Sequence, residues 1–275
     1  NGQSAGATSL TGANHIGTLG SFSAAGFGLT NAQTLAVTGP VNGGVSTVLT
    51  TTAGDLAING AVSGATTTLK SAGAISEGGG GVITATTLSG QSAGATNLTG
   101  INHVSTLGGF SAAGFGLTNA QALTVSGTVN GGASTTLTTT AGDLAIDGAV
   151  SGTTTTLKSA GAISEGAGGG ITANLLTGHS VGNTTLDGNN HINILGSFTS
   201  DFSLTNAQTL TVVGPLDGGP SVTLTTTTGD LVINGAITGT TTTLKSAGAI
   251  SEGPAGSIFA STLNGQSVGA TSLNG

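Results

Sequence analysis

Four kinds of ionisable residue return at fixed places along the chain, and each type has a chemistry to offer. His15, His103 and His191 recur in Asn-His-[Ile/Val], and Asp55, Asp143 and Asp230 recur in Gly-Asp-Leu. Lys70, Lys158 and Lys245 recur in TLKSAGAIS, and Glu77, Glu165 and Glu252 in ISEG. Histidines can bind zinc, paired carboxylates can cleave glycosides, and a lysine and a glutamate can form an ion pair. Spacing works against each. Equivalent residues stand one repeat apart, ~19 Å if four coils make a repeat, whereas zinc ligands lie ~2 Å from the metal. Any site must therefore form within a single repeat. There, glycoside chemistry needs two carboxylates within ~10 Å. The first repeat offers only Asp55 and Glu77, on different coils and with no aromatic platform nearby. We assign no catalytic, cofactor-binding or metal-binding residue, and expect no enzyme and no cofactor.

Structural roles suit these positions better. The aspartate is expected to bond its own turn, as Asx turns do. Lys70 and Glu77 flank a short turn, where they can pair at the surface and discourage sideways sheet association. The histidine reads as a polar corner residue. Gly78–Val82 (GGGGV) reads as a flexible turn, since it has no following Lys-Ser/Thr to make a phosphate loop. Asn42–Gly44, Asn130–Gly132 and Asp217–Gly219 read as turns.

The elements that carry these residues follow from a repeat. QSAGAT at 3–8 returns at 91–96, as HSVGNT at 179–184, and again at 266–271, with offsets of 88, 88 and 87. Fixed-period self-similarity marks a solenoid, in which each unit buries its apolar face against its neighbours. We read repeats at 3–90, 91–178 and 179–265, with a partial copy at 266–275. They form one continuous β-solenoid, 1–275, expected to be a segment of a longer protein. Within a repeat, 27–44, 45–65, 66–85 and 86–114 each open on a similar strand-like run. Alternation points Leu49, Leu56 and Ile58 inward, with Leu69 stacked on Leu49 and Ile75 on Leu56. Four coils per repeat give about 12 coils, ~60 Å in all. With 52 glycines and no persistent 3.6-residue period, helix is not expected. The third repeat departs most, losing one residue near 199–202 and gaining Asp187, Asp201 and Asp217.

Composition narrows the function. Only 5% of residues are charged, with three lysines, no arginine and a net charge of −7. That leaves no cationic footprint for nucleic acid or for an anionic membrane surface. Hydrophobic residues make up 36% and mean hydropathy is +0.31, which sets the chain apart from disordered sequences. No run is long enough to be a spanning helix. Without Trp or Tyr there are no aromatic girdles for a membrane barrel. Absence of cysteine excludes disulfides and thiolate metal sites. Runs such as TLTTT and TTTTL supply β propensity and solubility without charge. An outward threonine array of the ice-binding kind is a further reading.

The segments TTTAGDLAINGAVSG (50–64), TTTLKSAGAISE (66–77) and GGVITATTLSG (80–90) resemble the repetitive shaft of filamentous-haemagglutinin-like exoproteins. These are large proteins that Gram-negative bacteria secrete by the two-partner route. The resemblance implies a right-handed parallel β-helix, an extracellular or cell-surface location, and a role in adhesion or biofilm. The expected function is the structural shaft of a fibre that associates with itself end to end or laterally. Host surfaces or glycans are further partners, and neither nucleic acid nor membrane insertion is expected. A repeated glycan- or protein-binding module, or an ice-binding solenoid, are the alternatives.

Overall fold

The computed structural model describes residues 1–274, and among them every regular element is a strand. No helix is long and apolar enough to cross a membrane. The chain divides into two compact units, Asn1–Ala141 and Gly142–Gly275. Each is a parallel β-solenoid, in which a strand pairs with the strand one coil further along the chain.

The residue types explain the geometry. In Ser46–Thr51, Thr47, Leu49 and Thr51 are buried while Ser46, Val48 and Thr50 face outward. β-Branched and aliphatic residues suit such a half-buried pleated strand. Parallel pairing then stacks like on like. Leu29 lies on Leu49 and Leu49 on Leu69, while Leu35 lies on Leu56 and Leu56 on Ile75. The inward assignment from sequence holds, since Leu49, Leu56, Ile58, Leu69 and Ile75 are all fully buried. Each such side chain contributes roughly 1.5–3 kcal/mol of burial. One coil consists of a long strand, such as Ser46–Thr51, and two short ones, Leu56–Ile58 and Ala61–Ser63. Turns between them need left-handed backbone at Gly44 (φ 56°) and Gly54 (φ 74°), where glycine alone carries no steric cost.

Coils do not keep step with the sequence repeat. In the first unit one column of rungs runs Leu10, Leu29, Leu49, Leu69, Gly90, Phe110, Val129, with steps of 19 to 21 residues. Up to Leu69 this column holds the long strands. Then the strand Thr96–Ser111 changes the arrangement. Its first part lies on the short strand Ile75–Glu77, and its Thr96, Leu98 and Asn102 carry Phe115, Leu117 and Asn119 of the next long strand. Its last part lies over the old long-strand column and carries the short strands Leu123–Val125 and Val129–Asn130. The long side and the two-strand side of the coil have exchanged places. An 88-residue repeat thus makes four and a half coils.

This corrects the coil count. Four coils per repeat and about 12 in all were expected; each unit has seven rungs, and the chain about 14 coils. The stretch 86–114 is one and a half coils, and its additional short strands belong to the next half-turn. The second unit makes the same exchange. Leu186 and Asn190 of Thr184–Thr199 carry Leu204 and Asn206, while Leu195 and Phe198 carry Val212 and Leu216. The residue missing from the third repeat comes out of the turn after Thr199, and the ladder continues unbroken at Phe202.

Phenylalanine marks each exchange. Phe110 and Phe115 pack at 4.7 Å between ring centroids, Phe198 and Phe202 at 4.7 Å, and Phe22 and Phe27 at 4.5 Å. Gly90 makes room for this pair. A Cβ there would sit 2.8 Å from the Phe110 ring and collide with the Leu69 carbonyl.

Candidate functional site

The recurrent lysines, aspartates and histidines are dispersed over the surface of the coils, whereas Glu77 and Glu165 turn inward. Lys70 points outward from its long strand, in register with Thr50 and Gln91. His103 is exposed and in register with Thr84. Among the described residues no three His, Asp or Glu side chains come together in a metal-binding group.

Two expectations are corrected. Asp55 does not bond its own turn. Its Oδ1 accepts from Ala74 N of the next coil at 2.7 Å, as Asp143 does from Ala162 (2.8 Å) and Asp230 from Ala249 (2.7 Å). The aspartate ties one coil to the next, because the neighbouring turn presents its free N–H directly alongside. Glu77 does not reach for Lys70. It occupies the rung above inward-facing Ile58, so its carboxylate turns towards the core. There Oε2 accepts from Gly100 N at 2.7 Å and from Asn102 Nδ2 at 3.0 Å.

This carboxyl belongs to a polar cluster at the exchange of sides. Pairing jumps from Leu98–Leu117 to Asn102–Asn119, which leaves residues 99–101 outside the ladder. Backbone groups near such a gap need other partners, and buried asparagines supply them. Asn102 Oδ1 accepts from Ile83 N at 2.7 Å, and its Nδ2 donates to Thr118 O at 3.1 Å. Asn119 Oδ1 accepts from Val104 N at 2.8 Å, while its Nδ2 donates to Val104 O at 2.9 Å. Both side chains are fully buried. The second unit repeats the arrangement with Glu165, Gly188, Asn190 and Asn206. Burial pushes the Glu77 and Glu165 carboxyls above the usual carboxylate range, against the opposing pull of their amide donors. Asp187 adds to the rise at Glu165. The second oxygen of each carboxyl, Oε1, is buried without a hydrogen-bond partner. The sequence motif Asn-His-[Ile/Val] thus matters for its asparagine. The histidine beside it lies on the outer surface.

Of the extra acids of the third repeat, two bond the next coil and one its own turn. Asp187 accepts from Ser203 Oγ at 2.8 Å, Asp201 from Ser221 Oγ, and Asp217 from Gly219 N at 3.4 Å. In the first repeat Asn42 holds Gly44 N in the same way, at 2.9 Å.

The first unit has a concave surface of about 530 Å³ beside Thr50, Lys70 and Gln91, and another along a polar column. In the first unit an outward column of uncharged polar side chains runs in register through Gln3, Ser23, Asn42, Ser63, Thr84 and His103. From Asn42 onward it borders a groove of about 430 Å³ that extends to Ser105 and Gln121. Gln121 Nε2 donates to Ser105 Oγ at 3.2 Å. In the second unit the equivalent positions of the third repeat, Gly219, Thr238, Gly239, Thr240 and Phe259, border a groove of about 310 Å³. Comparison with protein-family models, curated proteins and solved structures finds no match to this chain.

Proposed function

We propose that this chain is a length of structural shaft in an extracellular or cell-surface fibre that supports adhesion or matrix formation. One observation carries the reading. Coil-to-coil register runs through a repeat junction within each unit, so a new repeat begins on the ladder of the last. In the first unit Ile75 and Leu88 of the first repeat pair with Thr96 and Leu107 of the second, in the same parallel register that joins Leu29, Leu49 and Leu69 inside a repeat. Stability of such an array is approximately a sum of neighbour terms, so additional copies lengthen it without new kinds of contact. The polar cluster is occupied in joining coils, which favours a mechanical over a catalytic role.

The extracellular setting, the Gram-negative source and the two-partner route rest on the resemblance to filamentous-haemagglutinin-like exoproteins. Self-association end to end or side by side is part of the proposal. Cryo-electron microscopy of the source cells, with the gene present and deleted, tests it. Gene-dependent filaments with ~4.8 Å axial spacing are the expected result. Identical surfaces on both strains, with the protein recovered as short particles, would overturn the fibre.

A further inference from the structure

We propose that the outward polar groove is a binding site for an uncharged polysaccharide, running along the coils of each unit. The inference does not depend on the shaft reading and stands whether or not the chain builds a fibre.

Recurrence is the first argument. The groove beside Ser63 and Thr84 in the first unit and the groove beside Thr238 and Phe259 in the second occupy equivalent places in the first and third repeats. Each unit therefore carries a concavity at these positions, with Asp217 on the rung of the second unit that Asn42 holds in the first.

The second argument is the spacing of its chemistry. Parallel in-register pairing sets one outward side chain per coil, at Asn42, Ser63, Thr84 and His103. The rungs are ~4.8 Å apart, comparable to the rise of one sugar in an extended chain. A polymer lying along the column meets a similar group at every step. Hydroxyl, amide and imidazole groups both donate and accept hydrogen bonds, as sugar hydroxyls do. No Lys, Asp or Glu borders the groove in the first unit. An anionic polymer would require cations there.

The floor is backbone. Gly64 is held close to the preceding coil, where a Cβ would come within 2.9 Å of Thr47 Oγ1 and 3.0 Å of Thr47 N.

Phe259 supplies the third argument. Six of the seven phenylalanines form the three ring pairs at the exchanges of sides. The seventh, Phe259, stands outward in register with Thr238. It takes the rung that Thr84 holds in the first repeat. An exposed ring beside hydroxyls offers the apolar face of a pyranose a stacking surface, with polar groups alongside to fix its orientation. Shallow grooves of this kind bind weakly one at a time and gain through multivalency.

Affinity electrophoresis in gels containing soluble β-glucan, mannan or dextran tests the site, with heparin as the anionic comparison. Retardation by at least one neutral polysaccharide and none by heparin is expected. Phe259→Ala and His103→Ala alter exposed side chains and should leave the circular dichroism spectrum unchanged. Together they should weaken retardation by about tenfold, the upper range for an aromatic contact. Lys70→Ala, outside the groove, should leave it intact. The proposal is overturned if no neutral polysaccharide retards the protein, or if heparin alone does. It is equally overturned if the double variant is retarded like the parent, or if Lys70→Ala weakens binding as much.

Discussion

Leu117 repeats Leu29 at a distance of 88 residues, yet it stacks on Leu98 and not in the column that Leu29 shares with Leu49 and Leu69. Residues that are equivalent in sequence thus face opposite ways within one unit. Since the chain has no cysteine, paired spin labels can read this directly. Labels at Thr30→Cys and Thr118→Cys, both outward on long strands, should be separated by more than the axial ~22 Å of four and a half coils. The width of the coil adds to that distance. A separation near ~19 Å, the value for four whole coils on one side, would refute the exchange.

The inward register predicts an asymmetry between two substitutions. Leu49→Asp places a charge in a fully buried column, and should prevent stable folding or cost several kcal/mol, on the order of 4. Lys70→Ala removes an outward side chain and should stay within about 0.5 kcal/mol. Thermal melts followed by circular dichroism compare them, and equal small effects would overturn the register.

Asn102→Ala should be costly although no apolar surface is at stake. It strips partners from Ile83 N and Thr118 O at the exchange. Each buried group left unpaired costs about 1–3 kcal/mol. Amide exchange should report the damage locally, with Ile83 losing protection well before Leu49 does.

Gly90→Ala should destabilise by overpacking, about 1–3 kcal/mol or more, because its Cβ meets the Leu69 carbonyl and the Phe110 ring. Gly6→Ala is the comparison, since a Cβ at Gly6 meets nothing within 4 Å. Denaturant midpoints that move equally for both would contradict the packing described.

Acid pH should favour the fold through two groups. The folded state holds the protons of Glu77 and Glu165 more tightly than the unfolded chain, whose value is 4.5. Their contribution is therefore complete below that value and is lost as pH rises through the higher folded one. Guanidinium melts should show the Glu77→Gln, Glu165→Gln double variant losing less stability than the parent as pH rises above 4.5. Parallel curves for the two proteins would remove these carboxyls from the account.

The solenoid and its inward leucines were legible because alternation and repetition are local signals. Leu49 over Leu69 needs only a coil length of about 20 residues, which 45–65 and 66–85 display openly. The half-coil was hidden. It depends on Thr96–Ser111 serving two sides at once, and its pivots, Asn102 and Asn119, are polar residues that composition assigns to turns. Glu77 was read as a surface charge for the same reason. Its inward direction follows from the rung it shares with Ile58, which is a tertiary fact. The constancy of Asn14, Asn102 and Asn190 beside the histidines was the available signal.

A repeat of four and a half coils gives copy number a parity. Were recombination to insert one 88-residue copy, every residue beyond it would arrive half a turn round, with its former outer neighbours on the far side. Inserting two would restore the original heading, after nine whole coils. Anything carried beyond such an array would then turn with each copy added, as well as move further out.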